Sequence, residues 1–200
     1  MGVVRVIGGR DKYAGEVINT TSKSTNWSKG LSPFYLGNVE LYDGYKAQNV
    51  ENAWQFSKVY QEHTDTNGNP TPDYFEWAKK GWESKWAFRY PMGKGAIPLY
   101  SWWNGDKLDY IEARKRIYLP LYAKAVVTSP AYQILKKTYE QRGEVILWDF
   151  DGYDYLALGM TLEQVLNEPK RKMGHAFVLA MLLTGVCQVS ETGEVTLHFQ

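Results

Sequence analysis

The spacing of apolar and polar residues predicts a chain that alternates short strands with helices. VVRVIGG at 3–9 reads as a strand, and residues 11–33, rich in Ser, Thr, Asn, Lys and Gly, read as a loop ending in LSPFYLG. NVELYDGYKAQ (38–48) alternates about Asp43-Gly44, the signal of a hairpin. Asn49 is placed to cap a helix over about 50–63; HTDTNGNPTP (63–72) is a loop, and 73–88 has helical spacing with Gly81 as its weak point. Residues 89–98 form a loop leading into the unusual YSWWNGD. Helical periodicity covers 107–127, where Pro120 should kink or split the helix. Ser129-Pro130 and Gly143 bracket a helix at 130–142. EVILW (144–148) reads as a buried strand, Thr161 and Gln164 as a capping box for a helix through 167, and 173–185 as an apolar core helix. CQVSETGEVTLHF closes the chain as a hairpin. Helices and strands mix without regular βαβ alternation, so the expected class is α+β.

Within the helix predicted at 50–63, Glu51, Trp54, Gln55 and Lys58 share one face, while Val50, Ala53, Ser57 and Tyr60 share the packing face. An acid, an amide and an amine in one row are either a site or ordinary surface. A lysine enclosed among aromatic rings would lose solvation and become a neutral, nucleophilic amine; a solvated one would not. Asp149, Asp151 and Asp154 crowd the end of the 144–148 strand in WDFDGYDY. They serve either as turn residues binding local amides, or as a second carboxylate opposite Glu51, since glycosidic bond hydrolysis commonly uses two.

Composition narrows these choices. Two hundred residues, 44% hydrophobic and 22% charged, suit one globular domain. No apolar run reaches the roughly 20 residues of a membrane span, and the N-terminus lacks a cleavable signal layout, so no membrane partner and a cytoplasmic location are expected. Cys187 stands alone and His63, His175 and His198 are scattered, which argues against a disulfide framework and a zinc site; His175, inside an apolar helix, fits a hydrogen-bonded core residue. There is no phosphate loop, dinucleotide fingerprint or HExxH motif. Net charge is +1, yet residues 79–94 hold Lys79, Lys80, Lys85, Arg89 and Lys94 interleaved with Trp82, Trp86, Phe88 and Tyr90. That pattern suits a nucleotide or single-stranded nucleic acid, or a solvated face whose rings point inward.

Ser32, Phe34, Asp43, Gly44, Glu51, Gln55 and Lys58 together resemble the opening motif of the NADAR (YbiA-like, DUF1768) family. YPMGKG (90–95), the helix after Trp103, WDFDGY (148–153) and KMGHAFVLAMLL (172–183) are similar to its later segments, so the likeness spans about 31–183. The resemblance implies a single α+β domain over 1–200, mainly helical around a small sheet. It implies a hydrolase, an N-glycosidase that removes ADP-ribose from guanine in DNA or a nucleotide, in phage counter-defence or toxin–antitoxin settings. Cleavage of a phosphoribosylated, riboflavin-pathway-like intermediate and non-catalytic binding of ADP-ribose or nucleic acid are the alternatives. Glu51 would polarise the ribose or transfer a proton, with Asp149 or Asp151 stabilising positive charge. Lys58 would hold a phosphate or hydroxyl, or add to the opened sugar. Gln55 and Trp54 would contact substrate, Arg89 and Lys94 the diphosphate, and Trp103 or Trp148 would stack. Neither a metal nor a cofactor is required.

Overall fold

The computed structural model describes residues 2–199. Strand β1 (Val3–Ile7) opens the chain. The 11–33 region expected to be loop holds a two-residue strand, β2 (Ile18–Asn19), and a 3-10 turn at Trp27–Leu31 whose Asn26 cap accepts the Ser28 N–H. Strands β3 (Val39–Glu40) and β4 (Lys46–Ala47) form the expected hairpin, with Asp43 (φ 48°) and Gly44 (φ 77°) taking the left-handed conformations its tight turn demands.

Helix α1 (Val50–Gln55) starts at Asn49, whose side chain accepts the Asn52 N–H, but it stops eight residues before the expected end. The Ser57 hydroxyl donates to the Trp54 carbonyl at 2.6 Å, taking the acceptor that the next helical amide would use. Residues 57–59 are then drawn into a sheet. Strand β5 (Lys58–Val59) is followed by a 3-10 turn at Gln61–His63 and by α2 (Pro72–Glu83). Gly81 does not break α2; a side chain there would run into the ring of Phe56, so glycine lets α1 and α2 pack closely.

The YSWWNGD stretch is a hairpin rather than the lead-in to a helix. Strands β6 (Tyr100–Trp103) and β7 (Asp106–Leu108) are joined through Asn104 (φ 47°) and Gly105 (φ 90°). Helix α3 (Tyr110–Ala113) therefore begins three residues later than expected, capped by Asp109. It runs through one wide π turn at Arg114–Tyr118 into α4 (Leu119–Val127). Pro120 lacks an N–H and would crowd the carbonyl four residues back, and the wide turn accommodates both defects without ending the helix. Helix α5 (Pro130–Arg142), β8 (Glu144–Trp148), α6 (Leu162–Leu166), α7 (His175–Leu183) and the hairpin of β9 (Cys187–Val189) and β10 (Val195–Leu197) follow as expected, with the capping box of α6 formed on both sides.

The class is α+β, and the described strands form four small sheets instead of one. Strand β8 is the centre of a parallel sheet ordered β1-β8-β2, with Val3 opposite Glu144 and Ile7 opposite Trp148. This pairing carries Asp149 to the sheet's C-terminal edge. Strand β6 pairs antiparallel with β5 and β7, so Lys58 lies opposite Ser101. Helix α7 is buried along most of its length and packs against β1 and α4.

Asn52 ties the fold to the segment that follows α2. It is fully buried, and its amide donates to the carbonyls of Gly81 (3.1 Å), Ser84 (3.3 Å) and Trp86 (2.8 Å) while its oxygen accepts the Phe88 N–H (2.9 Å). Both amide hydrogens are used, shared among three carbonyls, and the oxygen accepts one bond. Replacing Asn52 by Ala removes all four bonds and leaves the Ser84 carbonyl and the Phe88 amide without a partner, and urea unfolding should show a loss of about 2–4 kcal/mol. A loss below about 0.5 kcal/mol would show that the clasp contributes nothing net.

Candidate functional site

A cavity of about 660 Å³ opens between α1, the start of the long α3–α4 helix, the edge of the parallel sheet and the loops at 89–99 and 169–174. That is room for a nucleotide-sized ligand. Helix α1 forms one wall and is held by its first amides, Val50 N–H donating to Leu36 and Glu51 N–H to Pro33. The same bonds fix the loop that brings Ser32, Pro33 and Phe34 to the cavity.

Glu51 lies in that wall, 7% exposed. Gln55 Nε2 donates to Glu51 Oε1 at 2.9 Å, and Lys58 Nζ donates to Gln55 Oε1 at 3.0 Å. The expected acid–amide–amine row therefore exists, although its last member comes from β5 and not from a helix. Burial moves both ends towards neutrality. The Glu51 carboxyl is pushed above the usual carboxylate range, opposed by the Gln55 bond and the charges of Lys58, Arg89 and His175. Lys58 is pulled down to about 8, again mainly by burial, with Lys172 adding repulsion and Glu51 and Asp151 attraction. Its ammonium sits 5.2 Å from the ring centre of Trp54, which itself meets Tyr118 edge-on at 5.2 Å.

The three aspartates separate cleanly. Asp154 is bound by Arg5 (2.6 and 2.8 Å), away from the cavity. Asp151 lines the cavity but is neutralised by Arg89 (3.1 and 3.2 Å), whose guanidinium also lies 5.5 Å from the rings of Tyr90 and Phe150. Asp149 is buried; its Oδ2 accepts the Ala176 N–H at 3.0 Å at the start of α7 and faces His175 Nδ1 at 3.3 Å. Gly174 makes this possible, since a Cβ there would collide with the Asp149 carboxylate. His175 Nε2 meets the Thr20 carbonyl at 2.7 Å. A carbonyl only accepts, so Nε2 carries a proton. His175 is the hydrogen-bonded core histidine expected, and it also lines the cavity.

Trp54, Gln55 and Arg89 thus belong to the cavity, whereas Lys94, Trp103 and Trp148 do not line it. Lys94 is exposed between Gly93 and Gly95, which do line it. Trp103 packs edge-on against Tyr42 at 5.0 Å, and Trp148 against Phe150 at 5.0 Å. Of the cations and aromatic rings in the segment at 79–94, Arg89 and Tyr90 reach the cavity; Trp82 is core and Lys79, Lys80 and Lys85 are solvated. Sequence reasoning passed over Tyr118, Arg114 and the cationic run Lys170-Arg171-Lys172, all on the cavity wall. The run was the legible signal among these. Among the described residues no group of three or more His, Cys, Asp or Glu side chains is placed to hold a metal, and no helix is long and apolar enough to cross a membrane.

The model of a family of unknown function, DUF6939, matches residues 10–157. The chain belongs to that family. No match to the NADAR family was found, so the resemblance drawn from Glu51, Gln55, Lys58 and the later segments is overturned. An acid, an amide and an amine spaced along two turns are common residues at a common spacing, and here Lys58 is not even helical. No curated protein and no solved structure matches the chain. The DUF6939 match includes the Glu51–Gln55–Lys58 row, Arg89, Asp149 and Asp151, and ends before the wall formed by 169–175.

The amine at 58 gives a direct test. Competitive acetylation followed by peptide mass spectrometry should show Lys58 reactivity rising with a midpoint near pH 8, where exposed lysines titrate near the ordinary 10.5. The unfolded chain binds more protons at this position between about pH 8 and 10.5, so Lys58→Met should stabilise the fold at neutral pH by an increment that shrinks as pH rises through that window. A Lys58 midpoint above pH 10 would contradict the burial described.

Proposed function

We propose that this cavity is the active site of an N-glycosidase that hydrolyses the bond between a base and a phosphorylated ribose. The observation that carries the reading is Glu51, a buried carboxyl held above its usual range and locked by Gln55 to an amine, on the wall of a nucleotide-sized cavity. Such a carboxyl retains its proton closer to neutral pH and can deliver it to a leaving nitrogen. As the C1′–N bond breaks, its electron pair goes to the base, which takes the Glu51 proton. Positive charge grows on the ribose, and Asp149, whose Oδ1 receives no hydrogen bond from the protein, is the carboxylate that opposes it. Water then adds to C1′ and returns a proton to Glu51. Gln55 is a positioning residue, since it holds the acid and the amine without reacting. Asp151 is a poorer partner for the ribose because Arg89 already neutralises it.

The lowered pKa of Lys58 favours a second route through the same residues. A neutral amine at 58 can attack C1′ as the base departs, and ring opening then gives a Schiff base that water hydrolyses. ADP-ribosylated guanine, in DNA or as a nucleotide, and small phosphoribosyl conjugates of a base are the substrates to compare.

Glu51→Gln preserves the volume and an oxygen able to accept the Gln55 Nε2–H but has no acidic proton to give, so turnover should fall about 10²–10⁴-fold while the far-ultraviolet dichroism stays unchanged. Turnover at the wild-type rate would remove Glu51 from the chemistry. Borohydride added during turnover should leave a sugar adduct on Lys58 if the covalent route operates; active enzyme without an adduct assigns catalysis to direct attack by water.

A further inference from the structure

Arg114 is 1% exposed, and no carboxylate pairs with it among the described residues. Its guanidinium is held by backbone alone. Nη1 donates to the carbonyls of Val165 (3.3 Å), Leu166 (3.2 Å) and Glu168 (2.8 Å), and Nη2 donates to that of Arg171. Its face rests 4.4 Å from the Tyr110 ring centre, and Nε has no partner. The last carbonyls of α6 suit a cation, but burying an arginine without an acid is costly. The result of that arrangement is a fixed loop. Residues 168 and 171 are tied to the core, and the Lys170 N–H is tied to Glu168 Oε1 at 3.0 Å.

Three consecutive cations ride on that loop, and all three line the cavity. Arg171 lies over the Tyr153 ring at 4.6 Å. The ammonium groups of Lys170 and Lys172 meet no carboxylate among the described residues. A solvated lysine run needs no buried arginine to steady it; a run that must meet a ligand at set positions does. Arg89 also lines the cavity, but its charge is already offset by Asp151.

We infer that Lys170, Arg171 and Lys172 form a phosphate-binding strap, clamped by Arg114, that takes the monoester or diphosphate end of a small sugar phosphate whose anomeric carbon lies at Glu51. Lys58 and Lys172 both line the cavity, and a dianion bound there offsets the like charge that Lys172 presents to Lys58. The inference rests on the glycosidase reading for the orientation of the ligand, but not for the existence of the anion site.

Calorimetry tests it without turnover. Ribose 5-phosphate and ADP-ribose should both bind, with unphosphorylated ribose at least about tenfold weaker. Lys170→Ala/Lys172→Ala, both exposed positions, should weaken the two phosphorylated ligands at least about tenfold with an unchanged unfolding temperature, while Lys94→Ala binds like the wild type. Equal affinity in the double variant overturns the strap, as does an equal loss in Lys94→Ala, which would make the attraction diffuse. Strap-dependent binding of a single-stranded oligonucleotide with none of either small phosphate also overturns it, because the anion would then be a nucleic-acid backbone. Strap-dependent binding of both small ligands by a protein that cleaves no conjugate would support the strap and refute the glycosidase reading alone.

Discussion

The burial of Glu51 beside Lys58 is the constraint around which the cavity is organised. A carboxyl and an amine both lose solvation there, and each moves towards its neutral form; their mutual attraction, relayed through Gln55, pulls the other way. The amide is oriented by necessity, its NH₂ towards the acid and its oxygen towards the amine. A direct Glu–Lys contact would favour full ionisation of both. An interposed glutamine holds them close without pairing them, which leaves an acid and a base poised on one wall.

Much of the fold serves that wall. The shortness of α1 is what lets Lys58 arrive from a strand opposite Ser101, and the clasp of Asn52 on residues 81–88 delivers Arg89 and Tyr90 to the other side. The parallel sheet brings the end of β8 next to the start of α7, where Asp149 both caps the helix and faces His175. Asp149 is therefore structural and available at once: one oxygen holds the fold, the other does not. The same economy recurs at Arg114, which fills the core and steadies a loop of cations.

Local signals were legible and long-range ones were not. Asn49, the Asp43-Gly44 turn, Ser129 with Gly143 and the Thr161 capping box each act through a few neighbouring bonds, and each element starts where those residues put it. The helix at 50–63 misled because its periodicity persists past the point where Ser57 and the β6 strand capture the backbone. Asn104-Gly105 has the residue types of a tight hairpin turn, a local signal that the flanking tryptophans neither add to nor oppose. Aromatic character said nothing about direction, so Trp103 and Trp148 were expected in the site and pack elsewhere, while Tyr118 was passed over. Family kinship misled most: shared residue types at shared spacing pointed to NADAR proteins, and the chain belongs to DUF6939.

The central claim is that the carboxyl at 51 is buried and feels the amine at 58. Carbon-13 NMR of the glutamate side-chain carboxyls, followed against pH in the wild type and in Lys58→Met, measures it most directly. The account predicts a Glu51 midpoint above the ordinary 4.5 that moves higher still when the amine is removed, because Lys58 is one of the charges holding it down. A midpoint in the ordinary glutamate range, unmoved by the substitution, would contradict it.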